Sequence, residues 1–227
     1  MSKNFFDAIK AGDQQKVGRL LLATPSLIHE KEEGLSPVLM AAYHHKPAIA
    51  DLLAERTVAL TIFEAAATGK TGHIVRLLAR DPSLVDAYAE DGFQPLGLAC
   101  FFGHREAAEY LIKAGASVNS HSNNPLHATP LQSAVAAGHH ECVHLLISKG
   151  ADPNCREQGG YTPLHAAAQN GDIELIRALI FAGADLDARG DDGKLPVDMA
   201  IEAKQEEAAR LLSEGITRRS RTMRRPS

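Results

Sequence analysis

The chain has no tryptophan, and only 5% of its 227 residues are aromatic. Its three cysteines are odd in number and show no Cys-x-x-Cys spacing, which argues against a disulfide framework or a zinc site. No apolar run approaches the roughly 18 residues that a membrane helix needs, and Lys3, Asn4 and Asp7 interrupt any signal-peptide pattern. These absences predict reduced thiols, no membrane span and a cytoplasmic location.

Motifs that carry catalysis are also missing. The fragment Gly69-Lys70-Thr71 lacks the upstream glycine of a phosphate loop, and no Gly-x-Ser-x-Gly turn or paired-carboxylate motif occurs. His140 and His144 have the i, i+4 spacing of two metal ligands, but the sequence places no third ligand beside them. We therefore expect no enzyme activity, no small-molecule substrate, no cofactor and no metal.

Charge is uneven along the chain, which has 24 lysines and arginines and 28 aspartates and glutamates. Five of the arginines lie in the last ten residues, where no acid occurs, so 19 basic and 28 acidic residues remain elsewhere, a net charge of −9. An acidic body disfavours non-specific binding of nucleic acid. The five arginines are Arg218, Arg219, Arg221, Arg224 and Arg225.

One stretch after Gly160 contains the signals of two consecutive helices. Thr162 is suited to the N-cap, and Pro163 is suited to the first helical position. Apolar residues then follow at three- and four-residue spacing up to Gly171, and a second amphipathic run closes at Gly183. Helices this short are marginal alone, so the unit must bury its apolar faces against copies of itself.

Copies of this unit recur at a regular period. The tripeptides that begin at Thr129, Thr162 and Leu195 are 33 residues apart, and Gln94 begins another 35 residues before Thr129. A fifth, weaker copy begins at Ser36. A 33-residue period with a Thr-Pro-Leu-His signature resembles the ankyrin repeat family. The resemblance implies an all-α solenoid of about seven helix-turn-helix units joined by short hairpin-like turns, here called fingers.

The same landmarks divide the chain into repeats. The segments at Phe6 and Phe63 end in Pro-Ser-Leu instead of Gly-Ala-Asp, and with the Phe-Phe-Gly-His run at 101–104 they resemble bacterial ankyrin repeat proteins. The link after Arg56 is too short for a finger, which predicts a direct connection. We place an ankyrin repeat domain at 3–215 and a basic, disordered tail at 216–227. The predicted repeats lie near 4–33, 34–60, 61–91, 92–126, 127–159, 160–192 and 193–215.

The resemblance implies a non-catalytic scaffold or adaptor that binds a partner protein in a concave groove. In that family the last two residues before the glycine that divides each helix pair face the groove, as do residues that follow the finger glycines. His165 of the Thr-Pro-Leu-His motif is expected to bond a neighbouring turn. Aromatic groups dominate interface hot spots. The predicted partner-binding residues are Leu35, Tyr43, His44, Phe93, Phe101, Phe102, Tyr161, Gln169 and Asn170.

Acids near the predicted finger tips favour a basic partner segment with an apolar anchor. They are Glu90, Asp91, Glu157, Asp191 and Asp192. We expect the scaffold to be a monomer. The alternative function is association with nucleic acid or an acidic surface through the arginine tail. Two further interpretations of the tail are a segment that folds back onto the acidic groove and a solvated chain end.

Overall fold

The computed structural model describes the backbone of residues 2–223 and the side chains of residues 2–216. In this part of the chain the regular secondary structure is helical, with fourteen α-helices that form seven consecutive pairs. The fold is therefore the all-α repeat fold that the sequence predicts. The pairs are α1 (Ser2–Ala11) and α2 (Gln14–Ala23), α3 (Pro37–Tyr43) and α4 (Pro47–Arg56), α5 (Ile62–Ala67) and α6 (Thr71–Arg80), α7 (Pro95–Phe101) and α8 (Arg105–Lys113), α9 (Pro130–Ala136) and α10 (His140–Ser148), α11 (Pro163–Asn170) and α12 (Ile173–Phe181), and α13 (Pro196–Glu202) and α14 (Glu206–Met223).

A residue in the left-handed region of φ separates the two helices of each pair. Glycine supplies it in five pairs, as at Gly171 with φ 70°. In the second pair His45 takes this conformation with φ 53°, and in the seventh Lys204 takes it with φ 58°. His45 thus replaces the dividing glycine and keeps the left-handed conformation of the turn.

The contacts divide the chain into two compact units, Met1–Ala116 and Ser117–Ser227. Unit 1 contains the first four helix pairs and unit 2 the last three. A core cluster in unit 1 joins pairs one and two and includes the fully buried Phe5, Phe6 and Leu53. None of the helices in the described residues is long and apolar enough to cross a membrane.

The connection between the second and third pairs differs from the others in unit 1. Residues 57–61 pass from α4 to α5 without a finger, and both Thr57 and Thr61 have extended backbone. The direct connection predicted from the sequence is present. Its two large apolar side chains differ sharply in exposure, since Val58 is 96% exposed whereas Leu60 is buried.

Helix α14 differs from the sequence prediction. The tail was predicted to be disordered from Ile216, but α14 continues to Met223. Glu206 and Glu207 lie in its first turn, where negative charge suits the helix dipole. Residues 224–227, and with them Arg224 and Arg225, lie outside the described part of the chain.

The third residue of the first helix bonds the N-cap in several pairs. In α11 the Nδ1 atom of His165 accepts a hydrogen bond from the backbone N–H of Thr162 at 3.1 Å. The Nε2 atom lies 3.1 Å from the carbonyl oxygen of Lys194 and donates to it. The predicted role of His165 is confirmed. Burial lowers the pKa of His165, consistent with a neutral ring that donates on one side and accepts on the other.

Candidate functional site

The predicted partner-binding residues fall in both units, and those of unit 1 contain a compact group. Tyr43 ends α3, Phe101 ends α7, and Phe102 is the C-cap of α7. The ring centroids of Tyr43 and Phe102 are 5.3 Å apart, those of Tyr43 and Phe101 are 6.2 Å apart, and the two phenylalanine rings meet edge to face at 5.0 Å. We call these three side chains the aromatic cluster.

The aromatic cluster joins helix pairs that are not consecutive. Tyr43 belongs to the second pair and Phe102 to the fourth, and they meet where α5 of the third pair ends in the small residue Ala67. Tyr43 and Phe102 both pack on a buried patch formed by Leu39, Ala42 and Ala67. The small side chain at the end of α5 and the missing finger before α5 together leave the space in which the rings meet.

All three rings of the aromatic cluster are half-buried. Phe101, like the other two, is neither fully buried nor fully exposed. Edge-to-face contacts such as these stabilise a cluster beyond its area burial, by about 0.5–1.5 kcal/mol per pair. The cluster therefore has a structural role in unit 1 and still leaves apolar surface accessible.

The hydroxyl of Tyr43 is hydrogen-bonded to the finger that precedes α7. Its oxygen donates to Oδ2 of Asp91 at 2.7 Å, and Oδ1 of Asp91 accepts from the backbone N–H of Phe93 at 3.1 Å. Burial, followed by the charge of Asp91 and this hydrogen bond, raises the pKa of Tyr43. Tyr43 thus stays neutral and holds the finger over the aromatic cluster.

A second contact spans the position of the missing finger. The finger before α3 is a tight turn in which Glu32 and Leu35 exchange backbone hydrogen bonds. The finger before α7 is closed by a bond from the N–H of Ala89 to the carbonyl oxygen of Phe93. Lys31 and Glu90 form a salt bridge between the two fingers. The fingers before α3 and α7 therefore touch each other directly.

The other predicted residues of unit 1 have different surroundings. Leu35 is half-buried and packs on the same patch as Tyr43. Phe93 is half-buried, and His44, next to Tyr43, is exposed. The structure thus brings Leu35 and the aromatic cluster together.

In unit 2 the predicted residues do not form a cluster of this kind. The hydroxyl of Tyr161 donates to Oδ2 of Asp192 at 2.9 Å, and its ring lies 5.3 Å from that of His165. The hydrogen bond with Asp192 raises the pKa of Tyr161. Gln169 and Asn170 are exposed, and the amide of Asn170 donates to the carbonyl oxygen of Ala136 at 3.3 Å.

The ring of Tyr161 fits closely against glycine backbone. A Cβ atom added at Gly190 would lie 2.6 Å from the ring, and one added at Gly159 would lie 3.0 Å from it. Side chains at these two positions would collide with Tyr161. The ring is therefore held by its surroundings and is less free to engage a partner than the sequence suggested.

The acidic rim predicted from the sequence is partly neutralised. Glu90 pairs with Lys31, and Nζ of Lys194 lies 3.6 Å from Oδ2 of Asp192. Burial raises the pKa of Glu157, which disfavours its charged form. The electrostatic attraction for a basic partner is correspondingly smaller than the count of acids indicates.

Sequence reasoning missed an inter-repeat contact of His140. Its Nε2 atom lies 2.7 Å from Oδ2 of Asp172, and its Nδ1 atom lies 3.1 Å from Glu174. Both ring nitrogens thus face carboxylates of α12 and its N-cap, an arrangement that suits the imidazolium form. Burial lowers the pKa of His140, but the hydrogen bonds with Asp172 and Glu174 exceed that effect and raise it overall.

No group of three or more candidate metal ligands is found among the described residues.

Stability should therefore depend on the charge of His140. Because its folded pKa is raised, the contribution is fully present below the unfolded value of about 6.5 and is lost as pH rises through the higher folded pKa. The side chain is 33% exposed, so we expect less than about 1 kcal/mol. Urea unfolding at several pH values should show that the stability lost in His140→Ala is larger in mild acid than in alkali. Parallel pH profiles of the two proteins would contradict this, and His44→Ala is the control at an exposed histidine.

The consecutive helix pairs, their left-handed dividing residues and the capping contacts define a helical repeat protein. A family model described as "Ankyrin repeats (3 copies)" matches residues 62–157 and 131–220. The chain belongs to the ankyrin repeat family.

Two curated proteins illustrate the similarity. The E3 ubiquitin-protein ligase KEG of Arabidopsis thaliana is 36% identical over 102 residues, which are 44% of this chain and 6% of that protein. The ankyrin repeat and KH domain-containing protein mask-1 of Caenorhabditis elegans is 32% identical over 151 residues, which are 63% of this chain and 6% of that protein. This chain thus matches a small part of each relative. The resemblance to bacterial ankyrin proteins stays a prediction.

Proposed function

We propose that this chain is a non-catalytic scaffold or adaptor that binds a partner protein through its concave groove, with the aromatic cluster of unit 1 as the main anchor. Ankyrin repeats are generally protein–protein interaction modules, and both relatives are proteins far longer than the matched segment. The single observation that carries the proposal is the aromatic cluster. It concentrates three large rings in a chain with few aromatics and keeps them half-exposed.

The physical argument rests on rigidity and apolar contact. The rings are fixed by one another and by the hydrogen bond between Tyr43 and Asp91. Few side chains therefore lose conformational entropy when a partner binds. A half-buried aromatic group loses its remaining water contact in the complex, which favours binding. His44 lies beside the cluster and offers a polar contact at its edge.

Phe101 is a better probe than Phe102. Phe102 packs on the buried patch around Ala67, so its removal also disturbs unit 1, whereas Phe101 contacts the other two rings at the end of α7. We expect Phe101→Ala to weaken partner binding by about tenfold or more, the effect of losing an interface anchor.

In the first step a photo-crosslinking amino acid replaces His44, so that the crosslinked product identifies the partner. The same amino acid in place of Phe181 is the control. Phe181 is 94% exposed and lies at the end of α12. The purified partner is then titrated against wild type, Phe101→Ala and Phe181→Ala. Equal affinities for the three proteins would move the binding site away from the aromatic cluster.

A further inference from the structure

A cleft of about 530 Å³ lies between α2 and α4 in unit 1. Its lining belongs to the second helices of the first two pairs, whereas the aromatic cluster lies at the ends of first helices. It is therefore separate from the surface proposed above. The lining residues are Gln14, Gln15, Gly18, Arg19, Leu22, Leu52 and Arg56.

Gly18 keeps this cleft open. It lies inside α2, where a glycine weakens the helix relative to alanine. No atom lies within 4 Å of a Cβ atom added there, and its φ is not in the left-handed region, so neither packing nor backbone conformation requires glycine. The other six pairs have a side chain at this position, the sixth residue after the left-handed one. They are Asp51, Val75, Glu109, His144, Arg177 and Arg210.

The two charged side chains that line the cleft are both cationic. Arg19 lies on α2, which contains no acid, and Arg56 ends α4. Within residues 2–216 no salt bridge joins either guanidinium group to a carboxylate. Asp51, which precedes Leu52 in α4, forms a salt bridge with Lys70 of the third pair. Two guanidinium groups are thus available to a carboxylate-bearing ligand.

The apolar part of the cleft is partly exposed. Leu22 is 75% exposed, and Leu52 is half-buried. The spacing of Gln15, Gly18 and Leu22 puts them on one stripe of α2, and that of Leu52 and Arg56 does the same on α4. The cleft between the two helices thus combines apolar groups with cationic groups.

We propose that this cleft binds an acidic peptide segment of a partner protein that carries one aliphatic side chain. Its carboxylates pair with Arg19 and Arg56, and its aliphatic side chain lies on Leu22 and Leu52. The amide groups of Gln14 and Gln15 offer both donors and acceptors, which suits a peptide backbone. A nucleic acid would bring phosphates to the arginines but no aliphatic side chain to Leu22 and Leu52. This site is independent of the groove and stands whether or not the aromatic cluster binds a partner.

The probe is a fluorescein-labelled peptide with the sequence Gly-Asp-Glu-Leu-Glu-Asp-Gly, titrated with the full chain and followed by fluorescence anisotropy. We expect saturable binding that Gly18→Leu and the double variant Arg19→Gln/Arg56→Gln each weaken by at least about tenfold. The peptide with serine in place of leucine should bind more weakly, because the apolar contact is lost.

The third pair provides matched controls. Val75→Leu changes the position equivalent to Gly18, and Arg76→Gln/Arg80→Gln removes the same charge from the positions equivalent to Arg19 and Arg56. Both should keep wild-type affinity within about twofold. The proposal is overturned if the wild type shows no saturable binding of the peptide. It is also overturned if Arg76→Gln/Arg80→Gln loses as much affinity as Arg19→Gln/Arg56→Gln, because the attraction would then be unspecific. Thermal unfolding checks each variant. If Gly18→Leu is destabilised, the test depends on Arg19→Gln/Arg56→Gln, which changes exposed side chains only.

Discussion

Replacing Phe6 by alanine is expected to lower the free energy of unfolding by about 3–5 kcal/mol, the usual loss when a fully buried phenylalanine is truncated. Phe6 is fully buried and meets Phe5 edge to face, with ring centroids 5.7 Å apart. Both lie on α1 in the core cluster that also contains Leu53 of α4. Truncation leaves a cavity between the first two helix pairs.

Urea unfolding of the full chain, followed by circular dichroism, measures this effect. Hydrogen exchange should show that the amides of α1 and α2 lose protection first, because the truncation removes core contacts made by α1 itself. Phe181→Ala removes the same number of atoms from a side chain that is 94% exposed, and it should change stability by no more than about 0.5 kcal/mol. Similar losses in both variants would contradict the assignment of Phe6 to the core.

The second large effect is expected at Glu64. This side chain is 6% exposed and occupies in α5 the position that His165 occupies in α11. Its Oε2 atom accepts from the backbone N–H of Thr61 at 2.8 Å and from the hydroxyl of Thr61 at 2.9 Å. Its Oε1 atom accepts from the hydroxyl of Ser36 at 2.6 Å. One carboxylate thus joins the N-caps of α3 and α5.

We expect Glu64→Ala to lower the free energy of unfolding by about 2 kcal/mol, because the N–H and hydroxyl of Thr61 and the hydroxyl of Ser36 lose their charged acceptor. Glu64→Gln keeps one acceptor oxygen and should lose less. A double-mutant cycle with Ser36→Ala measures the bond between the pairs, with an expected coupling of about 1–2 kcal/mol. Strictly additive losses would mean that the contact between Ser36 and Glu64 contributes nothing.

The helix pairs are predictable from the sequence because their signals are local. Proline at the first helical position, a glycine eight residues later and apolar residues between them are all read within one repeat. The role of His165 follows from the same short motif. Glu64 was missed, although Thr61 and Glu64 have the spacing of a capping box.

The aromatic cluster could be predicted as a set of residues but not as a contact. Tyr43 and Phe102 belong to different repeats, and their meeting depends on two features between them. One is the short link at 57–61, and the other is the small side chain of Ala67 at the end of α5. Each feature is visible in the sequence, but only the packing of three helix pairs shows their combined effect. The partners of Asp91 and Asp192 are non-local in the same way.

The direct contact between the second and fourth pairs changes how unit 1 should unfold. Linear repeat arrays are usually described by intrinsic repeat stabilities and nearest-neighbour interface energies alone. In unit 1 the ring contact of Tyr43 with Phe102 and the salt bridge of Lys31 with Glu90 skip the third pair. A one-dimensional Ising description of this chain therefore needs a second-neighbour energy. That additional energy makes pairs two to four open as one cooperative block, so partial unfolding should stop at its edges rather than within it.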